Sequence, residues 1–577
     1  MKNILIILAL SVCSLTAQNA SRPLYRGNAP AFNKILTINN SLGIIPESRL
    51  WNMQQIVGVE GGIPARTTYI TLSSTVTVAQ INGHISACPS NQQIALLNGS
   101  YDWSGSTINF KSGVSFIGQG SNTIVRLPNN CKIGPSLPFS NITSMGTNLL
   151  NSGFEIGSSN LVTATTTFLN QITNGSVIYI SELNDTNIVH PWGYEIVGDP
   201  ATGVTDGDYP YSQSLATGIR NRGQGFRVTS INGNNVGIWP PITGRGYKAS
   251  LNPAIHYALT NSTSANNNNV CYVGFRDMTL TNNAGNMFQL DMTQNIWFSN
   301  VTFSVSTADT PALLGYYTHR VSVQGCNFFG YGTSPAAILC YCWHSGWLIE
   351  NNFFKNYNQS VFFKGAGGFS VVLYNFSSTT NVTTAIISET GSHAANTQFV
   401  YYEGNDFRKA QWDNSHGSSG DVIFFRNRAR GQESFTTFGY GSFSIDNFIY
   451  NASFVGNELG VSNLTTGYLL EVFCPSPSQG SSQVHWRIGY SGYNPTNISD
   501  VVSSLIRSGN VDFIGGTPNV RWANTSNSRV LTNSYYYTSK PYFFGATQPW
   551  PLFGPDTSYI NYTPAEYRLT NGFATPP

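Results

Sequence analysis

The chain has 577 residues, which is more than one compact core usually holds, so we expect several domains or an elongated repeat. Only 10% of the residues are charged, against roughly 25% in ordinary soluble domains, and Asn, Ser, Thr and Gly take their place. The net charge of +2 gives no basis for capture of a strongly anionic partner, and we predict no nucleic-acid partner.

The first twenty residues, MKNILIILALSVCSLTAQNA, combine Lys2 with an apolar run and a small residue at Ala17. This pattern is typical of a secretory signal peptide, and we expect cleavage after Ala17. The run is too short for a membrane span and no later segment is apolar enough, so we predict a secreted, extracellular protein without a membrane partner, with a periplasmic location as the alternative. Seven cysteines would then remain, an odd number, so at least one is expected to stay free or to pair between chains.

A short strand-like segment recurs from residue 270 onward, in VGFRDMTL, IWFSNVTF, VSVQGCNF, WLIENNFF, VVLYNFSS, VYYEGNDF, VIFFRNRA and ASFVGNEL. One column of these segments holds only Asn, Gly or Asp, which tolerate a left-handed turn. The members of this turn column are Asp277, Asn300, Gly325, Asn351, Asn375, Gly404, Asn427 and Gly456. The spacing of 23 to 29 residues indicates one supersecondary unit per step, and such units bury an apolar face only by stacking. We therefore predict an all-β fold, a parallel β-helix with coils about 4.8 Å apart.

Stacking also accounts for the composition, because a charge repeated on every coil would repel itself, whereas Asn, Ser and Thr can form hydrogen-bonded ladders. The segment TVAQINGHISACP has the pattern of a helix that caps the open end of the stack. The predicted boundaries are a signal peptide (1–17), a lead-in with the capping helix and first coils (18–139), an inserted β subdomain (140–250), the main β-helix (251–515) and a Pro- and aromatic-rich tail that packs on the helix (516–577).

Several segments resemble known proteins. The stretch CPSNQQIALLNGSYDWSGSTINFKSGVSFIGQGSNTIV resembles the opening coils of the pectate-lyase-like superfamily, and VVLYNFSS, YYEGNDF, HGSSGDVIFFRN and SKPYFFGATQPWPLFGPD are similar to a set of secreted bacterial β-helix proteins. The resemblance implies a right-handed parallel β-helix. It does not choose a reaction, because the superfamily includes lyases, glycoside hydrolases, esterases, tailspikes and adhesins. The paired DD with GHG and RxK of polygalacturonases is missing, as is the Asp cluster that holds calcium in pectate lyases.

Charged residues concentrate in one part of the β-helix, with 11 among the 45 residues from Glu389 to Glu433, against 8 among the 119 residues of 270–388. Counting eleven residues back from two members of the turn column reaches His393 and His416. We expect these histidines to be vertical neighbours on adjacent coils.

The same register places Lys364 below the two histidines and Asp413 beside them. Two imidazoles so close do not both become charged readily, so one would titrate low and serve as a base. The alternative is that both histidines only hydrogen-bond the turn backbone. His393, His416 and Asp413 are also a possible ligand set for a metal. We predict no metal site or other cofactor, and leave calcium or a transition metal open.

A second column lies one residue before the turn column, at Glu350, Tyr374, Glu403 and Arg426, and strand alternation points its side chains outward. Glu403 and Arg426 would stack as a surface ion pair, which contributes little to stability. The functional alternative is a sugar groove with Tyr374 as a stacking face and charged groups for hydroxyls or a uronate.

These observations lead to a secreted carbohydrate-active enzyme, a polysaccharide lyase or glycoside hydrolase, acting on a polysaccharide or other glycan in a groove along the coils. The predicted catalytic residues are His393, Asp413, His416, Glu403 and Arg426, and the predicted substrate-binding residues are Lys364, Tyr374 and Glu350. For glycoside hydrolysis Glu403 would be the acid and Asp413 the nucleophile or base. For a lyase His416 or Arg426 would be the base and Lys364 the neutralising group. The alternative is a non-catalytic glycan-binding, adhesin or fibre protein, and the oligomeric state stays open.

Overall fold

A computed structural model of the protein describes residues 44–134, 145–185, 214–215, 218–220, 222–258, 270–305, 310–341, 343–365, 367–378, 389–393, 396–414, 419–431, 441–461, 469–474, 484–490, 498–523 and 529–570. The predicted signal peptide (1–17) lies outside the described residues. The α-helices are α1 (Met53–Ile56), α2 (Val78–Ala87), α3 (Ile498–Ser504) and α4 (Pro564–Thr570). Over the described part of the chain, no helix has the length and apolar character needed to cross a bilayer.

The strands of the first third of the chain form opening coils and an insertion. The opening coils hold β1 (Thr67–Leu72), β2 (Gln92–Leu96), β3 (Gly99–Asp102), β4 (Val114–Ile117), β5 (Thr123–Arg126) and β6 (Cys131–Ile133). The insertion holds β7 (Met145–Ser152), β8 (Asn160–Thr163), β9 (Val177–Glu182), β10 (Ser214–Leu215), β11 (Gly218–Ile219), β12 (Arg222–Asn232), β13 (Asn235–Trp239) and β14 (Ala254–Ala258).

The remaining strands continue the coils. They are β15 (Gly274–Thr281), β16 (Phe288–Asp291), β17 (Gln294–Ser304), β18 (Leu313–Tyr316), β19 (His319–Gln324), β20 (Asn327–Cys340), β21 (His344–Glu350), β22 (Phe353–Lys364), β23 (Gly367–Leu373), β24 (Phe376–Ser378), β25 (Thr390–His393), β26 (Thr397–Glu403), β27 (Asp406–Phe407), β28 (Ala410–Trp412), β29 (Ser419–Gly420), β30 (Ile423–Phe425), β31 (Arg428–Ala429), β32 (Phe443–Asp446), β33 (Ile449–Tyr450), β34 (Ser453–Val455), β35 (Glu458–Leu459), β36 (Leu469–Phe473), β37 (Val484–Tyr490), β38 (Ile506–Ser508), β39 (Asn510–Asp512) and β40 (Asn519–Arg521).

Successive coils pair in parallel along three sheets, so the fold is the predicted right-handed parallel β-helix. The first sheet runs through β2, β4, the start of β15 and of β17, then β19, β21, β23, β26, β30, β34 and β38. The second runs through β3, β5, the end of β15 and of β17, the start of β20 and of β22, then β24, β27, β31, β35 and β39. The third runs through β6, β16, β18, the end of β20 and of β22, then β25, β28, β32 and β37.

The interior of the coils is apolar and aromatic, and equivalent rings lie over one another. Phe116, Phe275 and Phe298 stack with centroids 5.2 and 5.5 Å apart. Cys340 is a fully buried free thiol in this interior. The core thus explains why most strand residues that face inward are apolar.

On each coil, a residue with a left-handed backbone conformation turns the chain between the first and second sheets, as the turn column predicts. Two of the predicted members, however, lie one residue after the residue that has this conformation. The residues with positive φ are Asp277, Asn300, Gly325, Asn351, Tyr374, Gly404, Arg426 and Gly456. Tyr374 and Arg426, each with a φ of 53°, therefore replace Asn375 and Asn427 in the column. Bulky side chains at such φ values are uncommon, so surrounding contacts must hold them there.

Asn375 and Asn427 belong instead to a buried asparagine ladder beside the turn. Each ladder residue after the first accepts, at its Oδ1, the backbone N–H of the ladder residue on the preceding coil, at 2.9–3.0 Å. The first, Asn352, accepts the backbone N–H of Cys326 at 2.8 Å. The ladder consists of Asn352, Asn375, Asn405, Asn427, Asn457 and Asn510. The side-chain amide can bond a backbone N–H, a backbone carbonyl and the next asparagine without placing a charge on every coil. Avoiding such repeated charge is the predicted reason for the low charge content of the chain.

The N-terminal end of the coils is closed by α2, which confirms the predicted capping helix. Thr77 and Gln80 form a capping box at its start, with each side chain bonded to the other's backbone N–H. Ile81 and Ile85 are buried against the first coils. The helix therefore covers apolar interior that would otherwise meet water.

The insertion contains a closed six-stranded barrel of β7, β8, β9, β12, β13 and β14. Its last strand, Ala254–Ala258, lies beyond the boundary predicted at residue 250. The barrel packs on the corner between the third and first sheets, where the His256 ring lies 4.5 Å from the Trp343 ring and Arg245 binds Asp421 at 2.7 and 3.1 Å. The barrel thus borders one edge of the third sheet.

Residues 529–570, called here the C-terminal segment, pack on the outer side of the first sheet near its end. Tyr535, Tyr536, Phe544 and Phe553 are buried there among apolar side chains of the first sheet. The segment therefore covers one outward face of the β-helix.

Candidate functional site

One outward-facing residue of each coil forms a continuous row at the end of the third sheet. The strand register brings together Asp291, Tyr316, Tyr341, Lys364, His393, Asp413 and Asp446, called here the third-sheet row. Neighbouring strands lie about 4.8 Å apart, so each side chain has one row member on either side. The row therefore combines aromatic, cationic, imidazole and carboxylate groups in a fixed order.

His393 and Asp413 form a direct pair in this row. The Nδ1 atom of His393 lies 2.7 Å from Oδ2 of Asp413, and the backbone N–H of Asp413 donates to Ser392 O at 3.1 Å. An ionised carboxylate can only accept, so in a neutral imidazole Nδ1 would carry the hydrogen and the lone pair would be at Nε2. The His393 side chain is 23% exposed and that of Asp413 is 10% exposed. The pair is thus a partly exposed imidazole whose ring is oriented by a carboxylate.

Lys364 is the register neighbour of His393 on the preceding coil, as predicted. Its Nζ lies 5.4 Å from the centre of the Tyr341 ring, and the Tyr316 ring lies 5.1 Å behind Tyr341. The face of an aromatic ring attracts a cation, so the Tyr341 ring helps to hold the Lys364 ammonium in position. The row therefore places a positioned positive charge one coil from the imidazole.

Asp413 follows His393 directly in the third-sheet row. Strand β28 pairs Trp412 with Ser392, so the next residue, Asp413, is the register neighbour of His393. His416, predicted to be the vertical neighbour of His393, lies outside the described residues, and its position stays a prediction.

Asp446, the next row member, was missed by sequence reasoning. It accepts hydrogen bonds from Ser444 Oγ at 3.0 Å, from Gln411 Nε2 at 3.2 Å and from Arg487 Nη2 at 3.1 Å. Burial, opposed by Arg487 and helped by the negative charge of Asp413, raises the pKa of Asp446 to about 6. The available signal was the match between AQWD and FSID on consecutive third-sheet strands.

The predicted second column does not form an open groove. Glu350 and Glu403 do share a row, but its other members are Leu373 and Phe425. Glu403 is buried and accepts from the hydroxyls of Tyr374 and Tyr401, from Ser534 Oγ at 2.8 Å and from the backbone of Tyr535 at 3.3 Å. Burial raises its pKa, although these four donors oppose the shift.

Glu350, Tyr374 and Arg426 are covered in the same way. Glu350 accepts from the Tyr537 hydroxyl and from Gln324. Arg426 donates to Asp556 at 2.7 and 2.8 Å, and its side chain is 1% exposed. Glu403 and Arg426 thus bind the C-terminal segment rather than each other. We call Glu350, Tyr374, Glu403 and Arg426 the covered face.

The metal alternative rests on His393, Asp413 and His416, of which the structure describes two. Within the described ranges, no group of three or more His, Cys, Asp or Glu side chains is placed to hold a metal ion. The chemistry of the site is therefore argued from the side chains of the third-sheet row.

No family model matches the chain, and no curated protein sequence matches it. Among solved structures it is similar to the Gp54 tailspike of Acinetobacter baumannii bacteriophage AP22 in complex with A. baumannii capsular saccharide, at 15% identity over 72% of this chain and 58% of that one, with a TM-score of 0.41. It is also similar to the catalytic domain of a GH87 alpha-1,3-glucanase in complex with nigerose, at 11% identity over 78% and 69% of the two chains, with a TM-score of 0.32.

A third similar structure is PfbA, a surface adhesin of Streptococcus pneumoniae, at 10% identity over 78% of this chain and 94% of that one, with a TM-score of 0.33. These proteins share a right-handed parallel β-helix. A tailspike, a glucanase and an adhesin are different kinds of protein, and every TM-score lies below 0.5. Function must therefore be argued from the residues of this chain.

Proposed function

We propose that the protein is a secreted enzyme that cleaves an acidic polysaccharide by proton abstraction at the third-sheet row. The observation that carries the proposal is the pair of His393 and Asp413 beside Lys364. Nε2 of His393 is the base, Asp413 orients the ring and stabilises the imidazolium, and Lys364 supplies a positive group one coil from the base.

The reaction that suits this order of charges is elimination from a uronate. Lys364 pairs with the sugar carboxylate and so acidifies the neighbouring C–H. Nε2 of His393 takes that proton, the electron pair forms a carbon–carbon double bond, and the glycosidic C–O bond breaks. The departing oxygen takes a proton from solvent. Lys364 and His393, the two groups used for charge pairing and proton abstraction, are register neighbours on adjacent coils.

Glycoside hydrolysis is a second candidate, favoured by one observation. Asp413 and Asp446 are carboxylates on adjacent coils, and their surroundings differ, since Asp446 is the more buried and has the raised pKa. Two neighbouring carboxylates in different surroundings are the starting requirement for an acid and a base or nucleophile. In this reaction water is added and no double bond forms.

The experiment is a screen of the purified protein on acidic and neutral polysaccharides. New reducing ends report any cleavage, and absorbance of the unsaturated uronate reports elimination alone. We expect both signals on an acidic polymer, and we expect His393→Ala to reduce them at least 100-fold, the usual contribution of a general base. Reducing ends without the absorbance would replace elimination by hydrolysis. Binding without either signal would contradict the enzyme and support a glycan-binding protein.

A further inference from the structure

Asp446 is a fixed carboxylate. Its two oxygens receive three donors from three successive coils: Gln411, Ser444 and Arg487. Arg487 is itself fully buried and donates from Nε to Ser444 Oγ at 2.6 Å. A carboxylate held on so many sides cannot swing away from its neighbours, so its position in the row is set by the fold.

The strand register makes Asp446 the next row member after Asp413. Trp412 pairs with Ile445, and the residue that follows each of them is an aspartate. Asp413 is already engaged with His393 on its other side. A negative charge at Asp446 therefore acts on the pair from one coil away, in a place screened from water.

Among the described residues, few other titratable groups face Asp446. Arg487 is its counter-ion, Asp413 is the neighbouring carboxylate, and the buried Cys474 thiol senses the charges of both Arg487 and Asp446. Lys409, at 3% exposure, senses Arg487 from the preceding coil and carries a pKa lowered to about 8, chiefly by burial. Asp446 is thus the carboxylate among these groups that lies next to the proposed reacting pair of His393 and Asp413.

We propose that Asp446, held by Arg487, is a positioning residue that controls the proton affinity of the His393–Asp413 pair through its own charge. The proposal rests on the proposed function for its catalytic consequence, whereas the coupling itself is a property of the fold. A charged Asp446 favours a proton on His393, and a neutral one disfavours it.

The test replaces Asp446→Asn, which keeps the shape and removes the charge. The titration midpoint of the His393 ring is followed by NMR in wild type and variant, beside the pH profile of kcat/KM on the polysaccharide that the screen identifies. We expect the midpoint and the acidic limb of the profile to fall together by about one pH unit. This is the effect of removing one unit charge two coils from the His393 ring along the row. The matched control is Gln411→Leu, which removes a neutral donor to Asp446 and is expected to move the midpoint by much less.

A merely structural role for Asp446 would lower the activity without moving the midpoint. An unmoved midpoint in folded Asp446→Asn overturns the coupling, whether or not the wild type cleaves a polysaccharide. A lowered midpoint in a protein that cleaves no polysaccharide supports the coupling and overturns the proposed function. Equal shifts in Asp446→Asn and Gln411→Leu also overturn it, because the charge would then not be the cause.

Discussion

The third-sheet row and the covered face carry similar residue types and have opposite surroundings. Both present carboxylates and a cation on the outside of the coils, but residues 529–570 lie over one and not over His393, whose side chain is 23% exposed. Glu403 and Arg426 use their hydrogen-bonding capacity on the C-terminal segment. The difference shows that a side chain that points outward from a β-helix is not necessarily accessible to solvent or substrate. We expect substitutions in the covered face to change stability and those in the third-sheet row to change activity.

Substitution Glu403→Ala is expected to have the largest effect on stability. It leaves the donors of Tyr374, Tyr401 and Ser534 without their buried acceptor. We expect a loss of about 3–5 kcal/mol in the free energy of unfolding, measured by denaturant titration. The control is Lys364→Ala in the third-sheet row, expected to change stability by at most about 1 kcal/mol, the size of its contact with the Tyr341 ring. Equal losses of unfolding free energy in the two variants would contradict the expected difference between the covered face and the third-sheet row.

Substitution Asn405→Ala tests the asparagine ladder, which serves both faces alike. Asn405 accepts from Asn375 and donates to Asn427 and to the carbonyl of Val372. Its loss leaves buried backbone groups unpaired, so we expect a loss of about 2–4 kcal/mol in the free energy of unfolding. Asn109→Ala, at an exposed position, is the control and is expected to be near neutral. A neutral result at Asn405 would show that packing alone sets the coil spacing.

His344 offers a pH test of the buried start of β21 in the first sheet. Burial lowers its pKa to about 3, whereas in the unfolded chain it titrates near 6.5. The unfolded state therefore binds the extra proton first, and this contribution to stability, complete above pH of about 6.5, is lost as the pH falls. Its ring lies 5.2 Å from that of Phe363.

We expect His344→Phe to flatten the dependence of unfolding free energy on pH by about 1.4 kcal/mol per pH unit between roughly pH 6 and 4. Buried carboxylates with raised pKa values, such as Asp446, oppose the slope in wild type and variant alike, so the difference between the two isolates His344. Parallel pH curves would mean that His344 is not buried in neutral form.

The smallest predicted effect concerns the ring that supports Lys364. Tyr341→Leu removes the aromatic face below Nζ, worth about 0.5–1 kcal/mol at a partly exposed site. We expect KM to rise about two- to fivefold with kcat nearly unchanged, since the base is untouched. Tyr341→Phe keeps the ring and is expected to behave as wild type. An equal rise in KM for both variants would assign the effect to the hydroxyl.

The repeat in the sequence was sufficient to predict the coils and the pairing of Lys364 with His393, and the pattern of TVAQINGHISACP was sufficient to predict the capping helix. The repeat was insufficient to separate the turn from the asparagine ladder beside it. Asn375 and Asn427 belong to the ladder, so the predicted turn column falls one residue after Tyr374 and Arg426. The predicted position of His416 stays a prediction, because His416 lies outside the described residues.

The sequence also did not predict that the C-terminal segment covers Glu403 and Arg426, although the tail was expected to pack on the β-helix. Its contacts with Ser534 and Asp556 join residues 131 and 130 positions apart, and no spacing rule predicts them. Alternation reports which side of a strand a residue faces, and not what lies on that side. Asp446 was missed because its strand follows a stretch without the repeat.

One paired measurement tests the central claim most directly. Polysaccharide cleavage and thermal unfolding are measured together for His393→Gln in the third-sheet row and Glu403→Gln in the covered face. We predict that His393→Gln loses at least 100-fold in kcat/KM at an unchanged Tm, and that Glu403→Gln lowers Tm while the folded protein keeps its activity. A His393→Gln variant as active as wild type, or a folded Glu403→Gln variant without activity, would contradict the assignment of chemistry to the third-sheet row.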